Sequence, residues 1–377
     1  MPAREVSRER LRVLLLAALL GACGETPSLT DGPSPRYAPE LFAQVLATVT
    51  APELLPVDGD WPGDYGDANH YGPGFFFRYG EAAGNSAQIQ LAEELHAHNV
   101  FLVDDAIESP VRLLEDPENL LMSGFGLIEA YARSTDPTNG QRIRNFLDLI
   151  DIFMEDFDYY PESFDIIYGP TTINGALALL NLEFAMAARD HGVDASDRVD
   201  KAEEIIASGA AIAYGDALGY YRLAQGEDSL YLYPNIMQIL AHIRAFQLTD
   251  DSAYLDRACA LHASIQPLKV EGEGRYRSPY SAAVMGASSD DYTTLSSQNY
   301  ATLALALLFQ VTREQRFRQE VVDILAFIET HLLLEGRALH HWIDGEIARP
   351  TDPEYYCTGC NLQLLYVIWR LEEMLAD

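Results

Sequence analysis

The chain has 377 residues, 48 % of them apolar, with 57 acidic against 25 basic side chains and a formal charge of −32. That apolar share is enough to bury a core, which excludes disorder as the overall state. The negative field excludes nucleic acid as a partner, because phosphate binding needs Lys and Arg to displace condensed counterions. What remains is an acidic globule whose substrate or partner is neutral or cationic.

The first segment reads as an export signal. Arg4, Arg8, Arg10 and Arg12 precede an apolar run from Val13 to Leu20, far short of the ~20 residues a membrane-spanning helix needs. The run ends in Leu20-Gly21-Ala22-Cys23, which resembles the lipobox of bacterial lipoproteins. That resemblance implies removal of residues 1–22 and acylation of Cys23, so that lipid would be the chain's only membrane contact. Gly24, rather than Asp, after the cysteine implies the outer membrane, on its periplasmic or cell-surface face. Residues 23–37, rich in Pro, Ser, Thr and Gly, read as a flexible tether. A single domain is expected over residues 38–377, acting as a monomer.

Beyond the tether almost every regular segment has the 3.6-residue period of a helix, and two-residue alternation is scarce. A helix is expected over Pro39 to Thr50, followed by a long connection from Ala51 to Ala82. Further on, Ala176 to Leu180 and Ala301 to Phe309 are apolar or small nearly all round, as in helices packed on every side. Phe317, Val321, Ile324, Leu325, Ile328 and Leu332 instead form one stripe, the mark of an outer helix with a wet face. Asn85, Asn119, Asn174, Asn235, Asn299 and Asn361 stand near the starts of inner candidates, at spacings of 34, 55, 61, 64 and 62. Such a period is one helical hairpin plus its loops, and the asparagines read as ties between inner helices or as lining of a cleft floor. Short links at Ser134 to Asn139, Asp190 to Asp197, Thr249 to Ser252 and Thr312 to Gln315 join inner to outer helices, the last as a capping box. No outer helix follows the terminal run Asn361 to Leu375. The helix Pro39 to Thr50 fills that slot and closes a ring of twelve.

This pattern resembles the six-hairpin, or (α/α)6-barrel, proteins over roughly Pro39 to Asp377, with Thr249-Asp250-Asp251-Ser252-Ala253-Tyr254-Leu255 looking like an inner-to-outer turn of that group. The resemblance implies an all-α toroid and admits glycoside hydrolases, polysaccharide lyases and sugar epimerases. Among related toroids, a terpenoid cyclase needs a third acid after an Asp-Asp pair, and Asp104-Asp105, Asp250-Asp251 and Asp290-Asp291 lack it. A lanthionine-cyclase zinc site needs a Cys-His pair beside a further Cys, which is absent. Fold alone does not choose among the rest.

The long connections Ala51 to Ala82, Phe157 to Pro170, Tyr214 to Tyr233, Pro267 to Tyr292 and Glu335 to Cys360 make up about a third of the mature chain yet hold 16 of the 21 tyrosines. In a ring of hairpins they emerge on one face and wall one cleft. Tyrosine rings stack on apolar sugar faces while their hydroxyls reach sugar hydroxyls, so a neutral carbohydrate suits the composition; packing of the loops onto the barrel end is the plainer use. Trp61, Tyr65, His70, Tyr71, Tyr168, Tyr221, Tyr280, Tyr292 and Trp342 are the candidate substrate contacts. For hydrolysis, which needs two carboxylates, Asp290 or Asp291 would face Asp60 or Asp64, with Asp165 and Glu81 in reserve. Asp290 and Asp291 resemble acidic pairs that several (α/α)6 glycosidases carry at inner-helix starts, although a carboxylate there also caps a helix. A lyase or epimerase would draw instead on His70, His340, His341, Arg222, Arg275 and Arg277. His242 and His262 lie on helices and read as core residues.

No cofactor is required by these motifs. The acidic turn Asp58 to Tyr71 could be a solvated loop, a sugar contact or a calcium site, though Pro62 stands where a third ligand belongs. Cys357-Thr358-Gly359-Cys360 reads as a disulfide or free pair, or as half of a zinc site with His340 and His341. Cys259 reads as a small buried apolar side chain. The composite expectation is a lipid-anchored (α/α)6 barrel acting on carbohydrate, a glycoside hydrolase first, a lyase or epimerase second, and a non-catalytic surface glycan binder third.

Overall fold

Helices that are apolar all round must be enclosed, and in the computed structural model they are enclosed by a second ring. The structure describes residues 28–51, 55–56, 67–115, 117–133, 137–155, 169–222, 229–278, 291–334, 337–338, 341–343, 346–347 and 357–376. Its principal helices are α1 (Pro39–Val49), α2 (Asp67–Ala83), α3 (Ser86–Glu108), α4 (Pro117–Tyr131), α5 (Pro137–Glu155), α6 (Gly169–Asp190), α7 (Ser196–Ala213), α8 (Leu232–Thr249), α9 (Ser252–Ile265), α10 (Leu295–Thr312), α11 (Gln315–Phe327) and α12 (Thr358–Met374). The even-numbered helices form the inner ring, each packed on the next, and α12 packs on α2 to close it. The odd-numbered helices lie outside, with α1 from the N-terminus against α12. The chain is an (α/α)6 barrel.

Burial follows the sequence pattern. On α10 nearly every side chain from Leu295 to Phe309 is buried, whereas α11 buries Phe317, Val321, Ile324 and Leu325 and leaves its other face wet. Short strands decorate the outer-to-inner connections: β1 (Tyr214–Gly215) with β2 (Tyr220–Tyr221), β3 (Tyr292–Thr294), β4 (Leu333–Leu334) with β5 (Arg337–Ala338), β6 (His341–Ile343) and β7 (Glu346–Ile347). β3 pairs antiparallel with β6, so the fifth and sixth connections meet on one rim, the mouth. The opposite, closed end carries the short inner-to-outer turns.

Four expectations need correction. Asn85 does not begin an inner helix; it is the N-cap of outer helix α3, its side chain accepting from Ala87 and Gln88 N–H. The first inner helix is α2, inside the stretch expected to be a loop, and it carries Pro73 within it. Gly72, Pro73, Gly74 and Gly80 made that stretch look broken, since each interior Gly costs about 1 kcal/mol and Pro about 3. Burial of Tyr71, Phe75, Phe76 and Tyr79, all at most 2 % exposed, outweighs this at roughly 1.5–3 kcal/mol per large apolar side chain. Thr312 does not cap α11: Arg313 ends α10 in the left-handed region at φ 61°, Glu314 is the N-cap, and Thr312 Oγ1 donates to Leu308 O. Of the expected tether 23–37, the described part beginning at Ser28 is held, because Asn85 Nδ2 donates to the carbonyls of Ser28 and Asp31, and Gln88 Nε2 to that of Leu29; residues 23–27 lie outside the described residues.

The repeat is real but its register differs. Asn235, Gln298 and Asn361 are each the fourth residue of their inner helix and stand 63 residues apart. Each amide side chain pairs with both backbone groups of one residue in the preceding connection. Asn235 receives Tyr221 N–H at 2.8 Å and donates to its carbonyl at 2.9 Å. Gln298 does the same for Tyr276, at 2.9 Å in both directions, and Asn361 for Ala338, at 3.1 and 2.9 Å. Asn299, by contrast, ties α10 to α12 through Cys360 O. Replacing Asn361 by Ala orphans a buried N–H and C=O together. It should lower the unfolding free energy by about 2–4 kcal/mol, read from urea titration, and an unchanged midpoint would show that the amide pairing is incidental.

Candidate active site at the barrel axis

A cavity of about 50 Å³ lies where all six inner helices converge. α2 brings His70 and Tyr71 to it from its first turn, α4 brings Phe125 and Glu129, α10 brings Tyr300, and α12 brings Tyr366 and Arg370. His70 stacks on Tyr71 at 3.9 Å between centroids and on Phe125 at 4.7 Å. Tyr71 leans on Tyr366 at 5.3 Å and on Tyr300 at 6.2 Å, and Tyr233 meets Tyr300 edge-on at 5.2 Å. The result is a buried aromatic layer across the axis, on the mouth side of the ion pairs.

Burial pushes the His70 imidazole down to about 4, against the opposing pull of Glu129. Its Nδ1 is buried with no hydrogen-bond partner. Burial makes this imidazole a weaker base than free histidine but keeps it neutral at physiological pH, with the Nδ1 position open to a substrate. Glu129 has the opposite character. Burial alone would raise its carboxyl, but Arg78 and Arg370 beside it, with hydrogen bonds from Tyr366 and Arg78, hold it at about 2. Arg78 Nη2 lies 2.9 Å from Glu129 Oε2, Tyr366 Oη donates to Oε1, and Arg370 Nη1 donates to Tyr366 Oη at 2.8 Å. Glu183 pairs with Arg244 at 2.7 Å in the same layer. These pairs lie toward the inner-helix C-termini, and the Glu129 carboxylate, held at about 2, is a fixed anion rather than a proton donor.

The expected site residues fall in several places. His70 and Tyr71 come together on the axis, on a helix and not on a loop. Asp291 precedes β3, its side chain 37 % exposed and bound by Arg275 Nη2 at 2.6 Å. Arg275 also meets Glu273 and Thr293 and lies 5.5 Å over the ring of Phe327, so the pair is held toward the outer layer. Tyr221 and Tyr292 do not line the axial cavity, as Tyr71 and Tyr300 do; Tyr221 packs against Tyr214 and His242, and Tyr292 lies in β3. Glu81 pairs with Arg133 in the last turn of α2, the closed end, which removes it as a mouth carboxylate. Arg277 Nη2 is engaged by Pro267 O, and Arg222 N–H by Ala213 O. Trp342 and His341 have their backbones in β6, paired with Thr293 and Thr294. Asp60, Trp61, Asp64, Tyr65, Asp165, Tyr168, Tyr280, Asp290, His340 and Cys23 lie outside the described residues.

His242 and His262 are core residues. His242 is pushed down to about 4 by burial, with Nδ1 donating to Gln238 O at 2.7 Å, and His262 Nε2 lies 3.4 Å from the buried Glu320. Cys357 and Cys360 are joined in a disulfide at the start of α12, and Cys259 is free. A disulfide offers no thiolate to zinc, and among the described residues no group of three His, Cys, Asp or Glu could hold a metal. Glu129, Arg78, Tyr366 and Arg370 were not anticipated. The signal for the charged ones is a charge set inside the apolar run of an inner helix, clearest for Glu129 on α4 and Arg244 on α8.

No family model matches the sequence, and no curated protein does. Solved structures match in fold. The GH76 alpha-mannanase of Bacteroides thetaiotaomicron superimposes with a TM-score of 0.61 at 14 % identity, over 90 % of this chain and 97 % of that one. A polysaccharide lyase gives 0.61 at 12 %, over 90 % and 97 %. Cellobiose 2-epimerase from Bacillus thermoamylovorans gives 0.57 at 11 %, over 87 % and 98 %. What these chains share with this one is the (α/α)6-barrel fold.

Both depressed imidazoles make stability depend on pH. Between pH ~6.5 and ~4 the unfolded chain binds protons at these sites that the folded one does not, so stability is full above pH ~6.5 and falls as pH drops through the window. Glu129 and Glu320, both held at about 2, add further loss only below pH ~4.5. Each histidine should contribute on the order of 2–3 kcal/mol across its window. Urea midpoints at pH 7.5, 6 and 5 measure the slope; His70→Gln and His242→Gln should each flatten it, and an unaltered slope would reject the neutral-imidazole assignment.

Proposed function

We propose that this chain is a carbohydrate-active enzyme, exported and anchored through Cys23, whose sugar rests on the floor of His70, Tyr71, Tyr233 and Tyr300. The observation that carries the reading is the neutral, unpartnered His70 imidazole at the point where six inner helices meet. Aromatic faces and phenol hydroxyls together suit a sugar ring. The six outer-to-inner connections around the mouth carry 23 acidic and 7 basic side chains, which favours a neutral sugar over a polyanion. Fold neighbours that include an alpha-mannanase, a polysaccharide lyase and a cellobiose 2-epimerase support carbohydrate as the substrate class.

With a neutral sugar, the reaction His70 serves best is proton transfer at the carbon beside the carbonyl of a ring-opened reducing end, the epimerase class. His70 takes the proton from carbon 2, the electron pair of the broken C–H bond moves onto the carbonyl oxygen as an enediolate, and a solvent-derived proton returns to carbon 2 on the opposite face as the carbonyl reforms. Glu129, locked by Arg78 and Arg370, keeps the Tyr366 ring in place beside it. Hydrolysis is the second reading, favoured by the oriented and partly exposed carboxylate of Asp291, with Asp290, Asp60 or Asp64 as its proposed partner.

The test is incubation with a panel of reducing disaccharides and oligosaccharides in D₂O, with products followed by NMR. Epimerisation places deuterium at carbon 2. His70→Asn should reduce it by about 10²–10⁴-fold, while Asp291→Asn changes it by less than severalfold. The rate for wild type should be level from pH 8 to about 5 and decline toward pH 4 as His70 protonates. Cleavage without carbon-bound deuterium, abolished in Asp291→Asn, would replace this reading by the hydrolase. Binding without any conversion would replace it by a surface glycan binder.

A further inference from the structure

We infer that the barrel stands on a lipid bilayer by its closed end, with the mouth pointing away from the membrane. This goes beyond the enzymatic reading and rests on one part of it, the acylation of Cys23. The strap Ser28 to Tyr37 runs across the closed end and is fixed there. Asn85, in the turn between α2 and α3, donates from Nδ2 to Ser28 O at 2.6 Å, and Gln88 Nε2 donates to Leu29 O at 2.6 Å. Gly32 lies so close to Tyr79, near the end of α2, that a Cβ there would come within 2.4 Å of the ring. Further along, Arg36 N–H is accepted by Glu372 in the last turn of α12, and Arg318 donates to Tyr37 Oη at 3.2 Å.

Length then decides the orientation. Five peptide steps separate Cys23 from Ser28 and reach at most about 18 Å. The inner helices hold 15 to 22 residues and rise about 22–33 Å from the closed end to the mouth. A leash fixed at the closed end is too short to climb that wall and lay the mouth on lipid. Charge points the same way. The 23 acidic and 7 basic side chains of the mouth connections are repelled by an anionic surface, whereas at the closed end Glu81 is paired with Arg133 and Glu373 with Arg370.

The experiment uses the full acylated chain in a Cys259→Ala background, with one dye-labelled cysteine at either end. Ala132→Cys marks the closed end, and Leu218→Cys, in the β1–β2 turn, marks the mouth; both positions are exposed. The protein is reconstituted into phosphatidylcholine vesicles carrying a headgroup-attached quencher. Quenching should be severalfold stronger at position 132 than at 218, and equal or reversed quenching overturns the inference. In the double variant Asn85→Asp with Gln88→Glu, the acceptor that caps α3 is kept while the donors that hold the strap are lost. The leash lengthens and the difference should shrink; a difference unchanged there would show that the strap does not set the orientation. The mass of the N-terminal peptide reports acylation directly. An unacylated chain that stays off the vesicles overturns the anchor and the orientation together, whereas carbon-2 exchange measured in solution is untouched by either result.

Discussion

An inner helix with no wet face cannot stop halfway round a ring. Each of the six must be flanked by two others and backed by an outer helix, so the barrel exists only when α12 reaches α2. That closure joins the two ends of the chain. Arg36 and Glu372 meet across 336 residues and Arg318 meets Tyr37 across 281, while Arg313 reaches Ala376 O at 2.6 Å. The outer position behind α12 is filled by α1, which packs against it from the other end of the chain. Contacts of such separation carry a loop-closure cost that local helix formation does not repay, so the stability of the hairpins individually says little about that of the ring.

Closure also creates the site. Six helices arranged round an axis leave a gap that side chains from all of them must fill, and here the fill is graded. Toward the mouth it is aromatic, with His70 held neutral between rings. Toward the closed end it is ionic, with Glu129 between two arginines and Glu183 against Arg244. Burying charges is costly, and a buried pair is retained only where its geometry compensates desolvation. The carboxyl of Glu129, hydrogen-bonded by Arg78 and Tyr366, meets that condition. Among the described residues the lining of the axial cavity comes from the inner helices themselves.

Much of this architecture is written in local pattern. The stripe on α11, the all-round apolarity of α6 and α10, the vacant outer slot taken by α1 and the short closed-end turns are all readable without a structure. α2 was not, because Gly72, Pro73 and Gly74 carry the chemistry of a turn; only the pocket of aromatic partners around Tyr71, Phe75 and Tyr79 makes the helix worth forming. The same error moved His70 and Tyr71 from the axis to a loop. The repeat was misregistered by one residue at Gln298, where a glutamine performs the task that asparagine performs at Asn235 and Asn361. A search for identical residues chose Asn299 beside it, although both amides bear the same donor and acceptor.

By itself the amino-acid order determined the helical period, the alternation of enclosed and half-wet helices, the acidic balance and the placement of tyrosines in the long connections, since each of these is a property of neighbouring residues. Tertiary structure alone decided which charges meet. Arg78 and Glu129 are 51 residues apart, and Glu129 and Tyr366 are 237 apart; they come from different hairpins, and no local rule relates them. Whether a glutamate is a trapped anion or a histidine an idle base depends on the partners that ring closure brings to the axis.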